Sequence, residues 1–184
     1  MATKTFTTGE VLTASDTNTY LANSGLVYIK QQTVGNGVST VSVTDAFSST
    51  YDNYEIIYSG GTSSVNNNFN LYLTGQSSNY YNVLLYGTYT ATGPSIATTN
   101  NDRAFWPWVG GGFTTNGNFA RVTLLSPFEA KYTRITSPTY QGDTNAGFMS
   151  GVNKTASSAT GFTITSDSGT ISGGVIFVYG YRKA

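Results

Sequence analysis

The chain contains neither cysteine nor histidine. That excludes a disulfide framework, a Ser-His-Asp triad, a Cys-His pair and a zinc site of the His/Cys type. Charge is nearly as scarce. Only 10% of residues are charged, and nine basic residues balance nine acidic ones. Such a balance leaves no electrostatic footprint for nucleic acid or for an anionic membrane surface. No apolar run approaches the roughly 20 residues a bilayer-spanning helix needs. The first residues, Met1-Ala2-Thr3-Lys4-Thr5-Phe6, lack the apolar core of a signal peptide. The expectation is a protein made in a cytoplasm that does not leave by the usual secretion route, does not insert in a membrane and does not bind nucleic acid.

The remaining routes to chemistry are thin. Paired carboxylates run glycoside hydrolysis, but Asp52, Glu55, Asp102, Glu129 and Asp143 each sit beside a turn or on a polar strand face. They read as solvated surface acids, so no catalytic residue is assigned and no enzyme is expected. Gly110-Gly111-Gly112 has no Lys-Ser/Thr and no helix behind it, so it is not a phosphate-cradling loop. Asp143-Thr144-Asn145-Ala146-Gly147 resembles the start of a calcium loop, but its glycine comes fifth rather than sixth and no glutamate closes the site. It reads as a polar turn. No metal and no cofactor are expected. Asn153-Lys154-Thr155 fits a glycosylation acceptor, which carries no meaning without export.

Aromatic and small polar residues fill the space that charge leaves. There are 14 Tyr and 10 Phe in 184 residues, a length sufficient for one well-buried domain. Tyr54, Ile56 and Tyr58 alternate with polar or outward residues, and so do Phe69, Leu71 and Leu73. Period-two patterning in aromatic and branched residues predicts half-buried strands. The Gly/Ser/Asn run between the two sets predicts an exposed loop joining an antiparallel pair.

Further strands are predicted at Leu26 to Gln32, Val38 to Val43, Tyr80 to Ala91, Phe105 to Val109, Phe119 to Leu125, Tyr132 to Tyr140, Ala146 to Val152, Phe162 to Ser166 and Gly173 to Arg182. Turn chemistry separates them, for example Thr92-Gly93-Pro94, Asn100-Asn101-Asp102 and Asn116-Gly117-Asn118. Short strands at such spacing indicate an all-β antiparallel sandwich, here taken as jelly-roll-like. The last strand, Val175 to Tyr181, is apolar almost throughout and is expected to lie centrally, covered on both faces.

Residues 1–25 differ from the sandwich of residues 26–184. Thr13 and Asp16 fit a capping box, Asp16 to Asn23 reads as a short helix, and Gly25 is placed to stop it. Two to three turns are marginal alone, so this segment should dock on its own domain or on a neighbour.

The binding candidates are aromatic. Trp106 and Trp108 share one face of the extended Phe105-Trp106-Pro107-Trp108-Val109, and Pro107 suggests an edge strand because it donates no ladder hydrogen bond. Exposed, the two indoles would stack on sugar rings. Buried, they would plug one end of the core. Tyr86 and Tyr89 carry the same two readings.

Two places resemble a known class of proteins. Phe6-Thr7-Thr8-Gly9-Glu10-Val11-Leu12-Thr13-Ala14, followed by a helix with Asn18 and Tyr20-Leu21, is similar to the N-terminal segment of many tailed-bacteriophage minor structural and tail-fibre proteins. Phe47 to Tyr54, Asn79-Tyr80-Tyr81 and the closing Gly173 to Tyr181 resemble the β-sandwich modules of phage fibres and virion decorations. The resemblance implies a non-enzymatic virion structural protein, released by lysis. Its N-terminal segment (Phe6, Val11, Leu12, Tyr20, Leu21) would anchor it to other virion proteins, and its sandwich would present a host-surface glycan site. It also implies a homotrimer. Members of the class often carry a long fibrous shaft between the two parts, which this chain lacks. A tail fibre or tail appendage is the first expectation. A head decoration or capsid fibre, or a free carbohydrate-binding lectin-like module, are the alternatives.

Overall fold

Alternating apolar residues can be buried only if a second layer faces them, and the chain supplies that layer from its own strands. The computed structural model describes residues 5–17, 25–90, 93–141 and 144–182. They form one short helix, α1 (Ala14–Asp16), and fourteen strands. The strands are β1 (Leu26–Thr33), β2 (Thr40–Val43), β3 (Tyr51–Ser59), β4 (Thr62–Ser63), β5 (Asn67–Leu73), β6 (Tyr80–Thr88) and β7 (Ser95–Arg103). The second half gives β8 (Trp106–Gly112), β9 (Phe119–Leu125), β10 (Thr133–Gln141), β11 (Asn145–Asn153), β12 (Phe162–Ser166), β13 (Ile171–Ser172) and β14 (Val175–Arg182). The protein is nearly all-β, and the strand pairings in the main sheet are antiparallel.

The sheet forks at β9. One edge of β9 pairs with β3 along its whole length, from Asn53↔Leu125 to Ser59↔Phe119. The other edge is shared: Phe119 and Ala120 pair with β8, while Thr123 to Leu125 pair with β10. One arm then continues β8-β5-β12-β2 and the other β10-β11-β6-β7, while β3 leads outward through β14 to β1. The short β4 and β13 pair with each other.

The main core lies between the β3-β14-β9 face and the β5-β12-β2 arm. Tyr54, Ile56 and Tyr58 meet Phe69, Leu71 and Leu73, joined by Val122, Leu124, Phe162, Ile164, Ile176 and Val178, all fully buried. Phe47 sits 4.6 Å from the Tyr54 ring and 5.7 Å from Phe162, and Tyr58 lies 5.5 Å from Phe69. Each such side chain contributes about 1.5–3 kcal/mol by leaving water. The two alternating stretches are therefore strands, as their spacing predicts, but they do not pair as a hairpin. β3 bonds to β14 and β9, β5 to β12 and β8, and the two face each other across the core. Side-chain period fixes which face is buried, not which strand lies alongside.

Other expectations are corrected in the same way. β14 is central, between β1 and β3, but only one of its faces is covered. Ile176, Val178 and Gly180 are buried, while Phe177 and Tyr179 are half-buried on the outer side. There Tyr179 meets Tyr28 edge-on at 6.0 Å. Asn100-Asn101-Asp102 is not a turn; it belongs to β7, which pairs with β6 alone. The three residues fall in a register shift between Thr99, which pairs with Asn82, and Arg103, which pairs with Tyr80, so the turn-prone stretch is taken up as an irregularity within the edge strand. The Asn run before Phe69 is also strand rather than loop: Asn67, Asn68 and Asn70 are all buried in β5. β5 and β8 are middle strands, with the core on one side and the β10-β11-β6-β7 arm folded over the other.

The capping box at α1 is formed. Asp16 N–H donates to Thr13 Oγ1 at 3.1 Å, and Thr13 N–H donates to Asp16 Oδ2 at 3.1 Å. Gly25 takes φ +88°, but α1 covers only Ala14–Asp16, and most of the helix expected over Asp16 to Asn23 lies outside the described residues. Phe6, Val11 and Leu12 are exposed, Val11 by 78%, and none belongs to the core. Tyr20 and Leu21 lie outside the described residues.

Candidate functional site

Pro107 would break an ordinary interior strand, because it removes one ladder donor. β8 is nonetheless interior, bonded to β5 and β9, which corrects the edge-strand expectation. A bulge makes this possible. Leu71 pairs with Trp106 and Phe69 with Gly110, so a single β5 residue opposes Pro107, Trp108 and Val109. The proline falls where no ladder bond is required. The cost appears at the next residue: Trp108 has φ +62°. A bulky side chain in the left-handed region is a genuine outlier, and such strain collects where a side chain must be aimed.

The bulge gives the two tryptophans different surroundings. Trp106 is 0% exposed and stands perpendicular to the Tyr80 ring at 4.7 Å. It is core, so its place among the sugar-stacking candidates is withdrawn. Trp108 is half-buried and borders a pocket of about 230 Å³. Trp108 and Asn68 reach this pocket from β8 and β5, and Leu84, Tyr86 and Ala97 line it from β6 and β7. Thr139 and Asn145 add polar groups, and among the described residues no charged side chain lines it.

Of the four candidate residues, the fold brings Trp108 and Tyr86 together. Tyr89 is 66% exposed beyond the pocket, its N–H donating to Thr144 O at 2.8 Å. The residue that sequence reasoning missed is Asn68. It is 7% exposed, and its Oδ1 is buried without a hydrogen-bond partner. The signal was present: Asn68 and Asn70 alternate with Phe69 and Leu71, so they had to occupy the second face of the same strand.

The surface acids need one correction. Glu55 is only 1% exposed, although it points away from the main core. Arg121 Nε donates to it at 2.5 Å, Thr123 Oγ1 at 2.8 Å and Tyr181 Oη at 3.4 Å. Its charge raises the Arg121 pKa, chiefly through that hydrogen bond. The carboxylate is fully engaged and pins β3 to β9 and β14. Asp143 lies outside the described residues, and among those described no three acidic, histidine or cysteine side chains gather as metal ligands. Asn153 of the glycosylation-like triplet is buried, donating to Ser78 O at 2.9 Å and accepting from Thr155 N–H at 2.7 Å.

Tyr80 belongs to the core, against Trp106. Its hydroxyl accepts from Leu73 N–H at 2.8 Å and donates to Gln76 O at 3.2 Å, and burial pushes its pKa up to about 12. The unfolded phenol ionises near 10, so between pH 10 and 12 the unfolded chain binds fewer protons than the folded one. Stability is therefore complete below pH 10 and falls as pH rises, by roughly 2–3 kcal/mol for this group. Denaturant melts at pH 9 and pH 12 should show this loss, and Tyr80→Phe should flatten it. An equal alkaline loss in the variant would mean that other groups carry it.

No known protein family matches the sequence, no curated protein matches it, and no solved structure matches the chain.

Proposed function

We propose that the chain is a non-enzymatic structural protein of a tailed-bacteriophage virion, a tail fibre or tail appendage. In this reading residues 1–25 attach it to other virion proteins, and a jelly-roll-like sandwich presents a site for a host-surface glycan. The observation that carries the glycan site is the pocket where Trp108 and Tyr86 stand beside Thr139 and Asn145, with no charged side chain among its described lining residues. Sugars are bound by this combination of aromatic planes and neutral amides or hydroxyls, without metal or strong charge. The exposed Phe6, Val11 and Leu12 support the anchor, because an apolar segment outside its own core gains from a partner surface.

A homotrimer is part of the reading. Ile96, Leu85 and Phe148 stand in register across β7, β6 and β11, and all three are exposed. A second copy is the occupant this row suits, since the zero net charge sets up no repulsion between copies. Several tethered copies would also turn weak single pockets into firm attachment.

Deleting residues 2–24 tests the anchor. The truncated protein should keep its β-sheet circular dichroism and disappear from purified particles. Incorporation at full occupancy would overturn the assignment.

A further inference from the structure

We infer that the protein has a second binding site, for a sugar that carries a carboxylate, on the outer face of the β10-β11-β6-β7 arm; the inference rests on the glycan reading above. This face lies opposite the one folded over β5 and β8, so Val83, Leu85 and Phe148 are exposed where Leu84 and Met149 are buried. Across it Arg134 pairs with Val152 and Val152 with Tyr81, while Ser150 pairs with Val83 one row further on. These five side chains border an open groove of about 400 Å³, separate from the Trp108–Tyr86 pocket. Arg134 stands exposed on one side of it. On the other, Lys154 holds its ammonium 4.3 Å from the centre of the Tyr81 ring.

Two of the chain's nine basic residues thus converge on one groove. Among the described residues the ion pairs are Arg121–Glu55 and Lys131–Glu129, and neither Arg134 nor Lys154 meets a carboxylate. Of the acidic side chains only Asp143 lies outside the described residues. It falls between Gln141 and Asn145, which pair at the far end of the β10-β11 hairpin, about 23 Å along the strand from Arg134. The complementary negative charge is left for a ligand to bring. The planar guanidinium fork of Arg134 matches the two oxygens of a carboxylate, and the Lys154 ammonium adds a second positive charge. Between them Val83 and Val152 offer an apolar floor and Ser150 a hydroxyl. A sugar ring, with its C–H face and hydroxyls, fits that mixture, whereas a bare inorganic anion makes no use of it. The Ile96-Leu85-Phe148 row suited to a second copy lies about 13 Å further along the strands, at the other end of the face.

The test is titration calorimetry or saturation-transfer NMR on the full chain, with glucuronate, galacturonate, glucose and inorganic phosphate as probes. At least one uronate is expected to bind tenfold or more tightly than glucose and than phosphate, with the advantage shrinking in high salt. Arg134→Gln should remove that advantage without moving the melting temperature, because Arg134 is exposed. Trp108→Ala should leave it in place. A uronate preference that survives Arg134→Gln, or phosphate bound as tightly as the uronates, would overturn the inference. Glucose binding as tightly as both uronates, with all three lost in Trp108→Ala, would overturn it too but leave the glycan reading standing. No binding of any sugar, as monosaccharide or as multivalent conjugate, would overturn both.

Discussion

Trp106→Ala and Trp108→Ala, only two residues apart, should fail in opposite ways. Trp106 is fully enclosed against Tyr80, so its truncation opens a large cavity and should cost about 3–5 kcal/mol. For a chain of this size that corresponds to a melting temperature lower by roughly 6–20 °C. Trp108 is half-buried at the pocket, so its truncation should cost no more than about 1–2 kcal/mol. It should abolish sugar binding at this pocket while leaving the fold intact. The backbone adds a further distinction. Trp108 holds φ +62°, which alanine tolerates poorly and glycine readily, so Trp108→Gly should be about 1 kcal/mol more stable than Trp108→Ala. Both should be equally inactive in binding. Thermal melts on the three variants, with binding measured alongside, decide the matter. If Trp108→Ala melts as low as Trp106→Ala, both indoles are core and the pocket reading fails.

These two residues also mark how far the sequence could be read. The alternation Ala120, Val122, Leu124 or Phe162, Ile164 needs only the pleat of a strand to predict burial, and those residues are buried. The capping box needs only a three-residue spacing, and it is formed. What lay out of reach depends on partners distant in the chain. No local pattern says that β3 faces β5 instead of pairing with it, or that a second arm covers β5 and so buries Asn68. The period-two rule placed Trp106 and Trp108 as equivalents because it assumes an unbroken ladder. Their divergence rests on a bulge set by the opposite strand, where Phe69 and Leu71 take the pairs that flank it. β7 escaped for another reason: apart from Ile96 it has little apolar alternation, and its place at the sheet edge comes from backbone pairing with β6.

Gly111→Ala should be among the most damaging single-methyl changes in the protein. Gly110, Gly111 and Gly112 are consecutive residues of β8 at the fork, where that strand runs between β5 and β9. A Cβ on Gly111 would collide with the main-chain oxygen of Tyr140 and lie 3.0 Å from the Phe113 ring. A backbone carbonyl does not swing aside as a side-chain end does, so β10 itself would have to move. Overpacking of this kind should cost about 3 kcal/mol or more. Thr139, next to Tyr140, lines the Trp108–Tyr86 pocket, so the displacement should weaken the proposed sugar binding in whatever fraction still folds. Gly87→Ala in β6 is the matched control, because nothing lies within 4 Å of the added methyl and its φ is not in the left-handed region. Its stability should stay within about 0.5 kcal/mol of wild type. Equal melting temperatures for the two variants would mean that β8 and β10 are not held together at this point. The triple glycine would then be a flexible element rather than the close contact that lets the sheet divide.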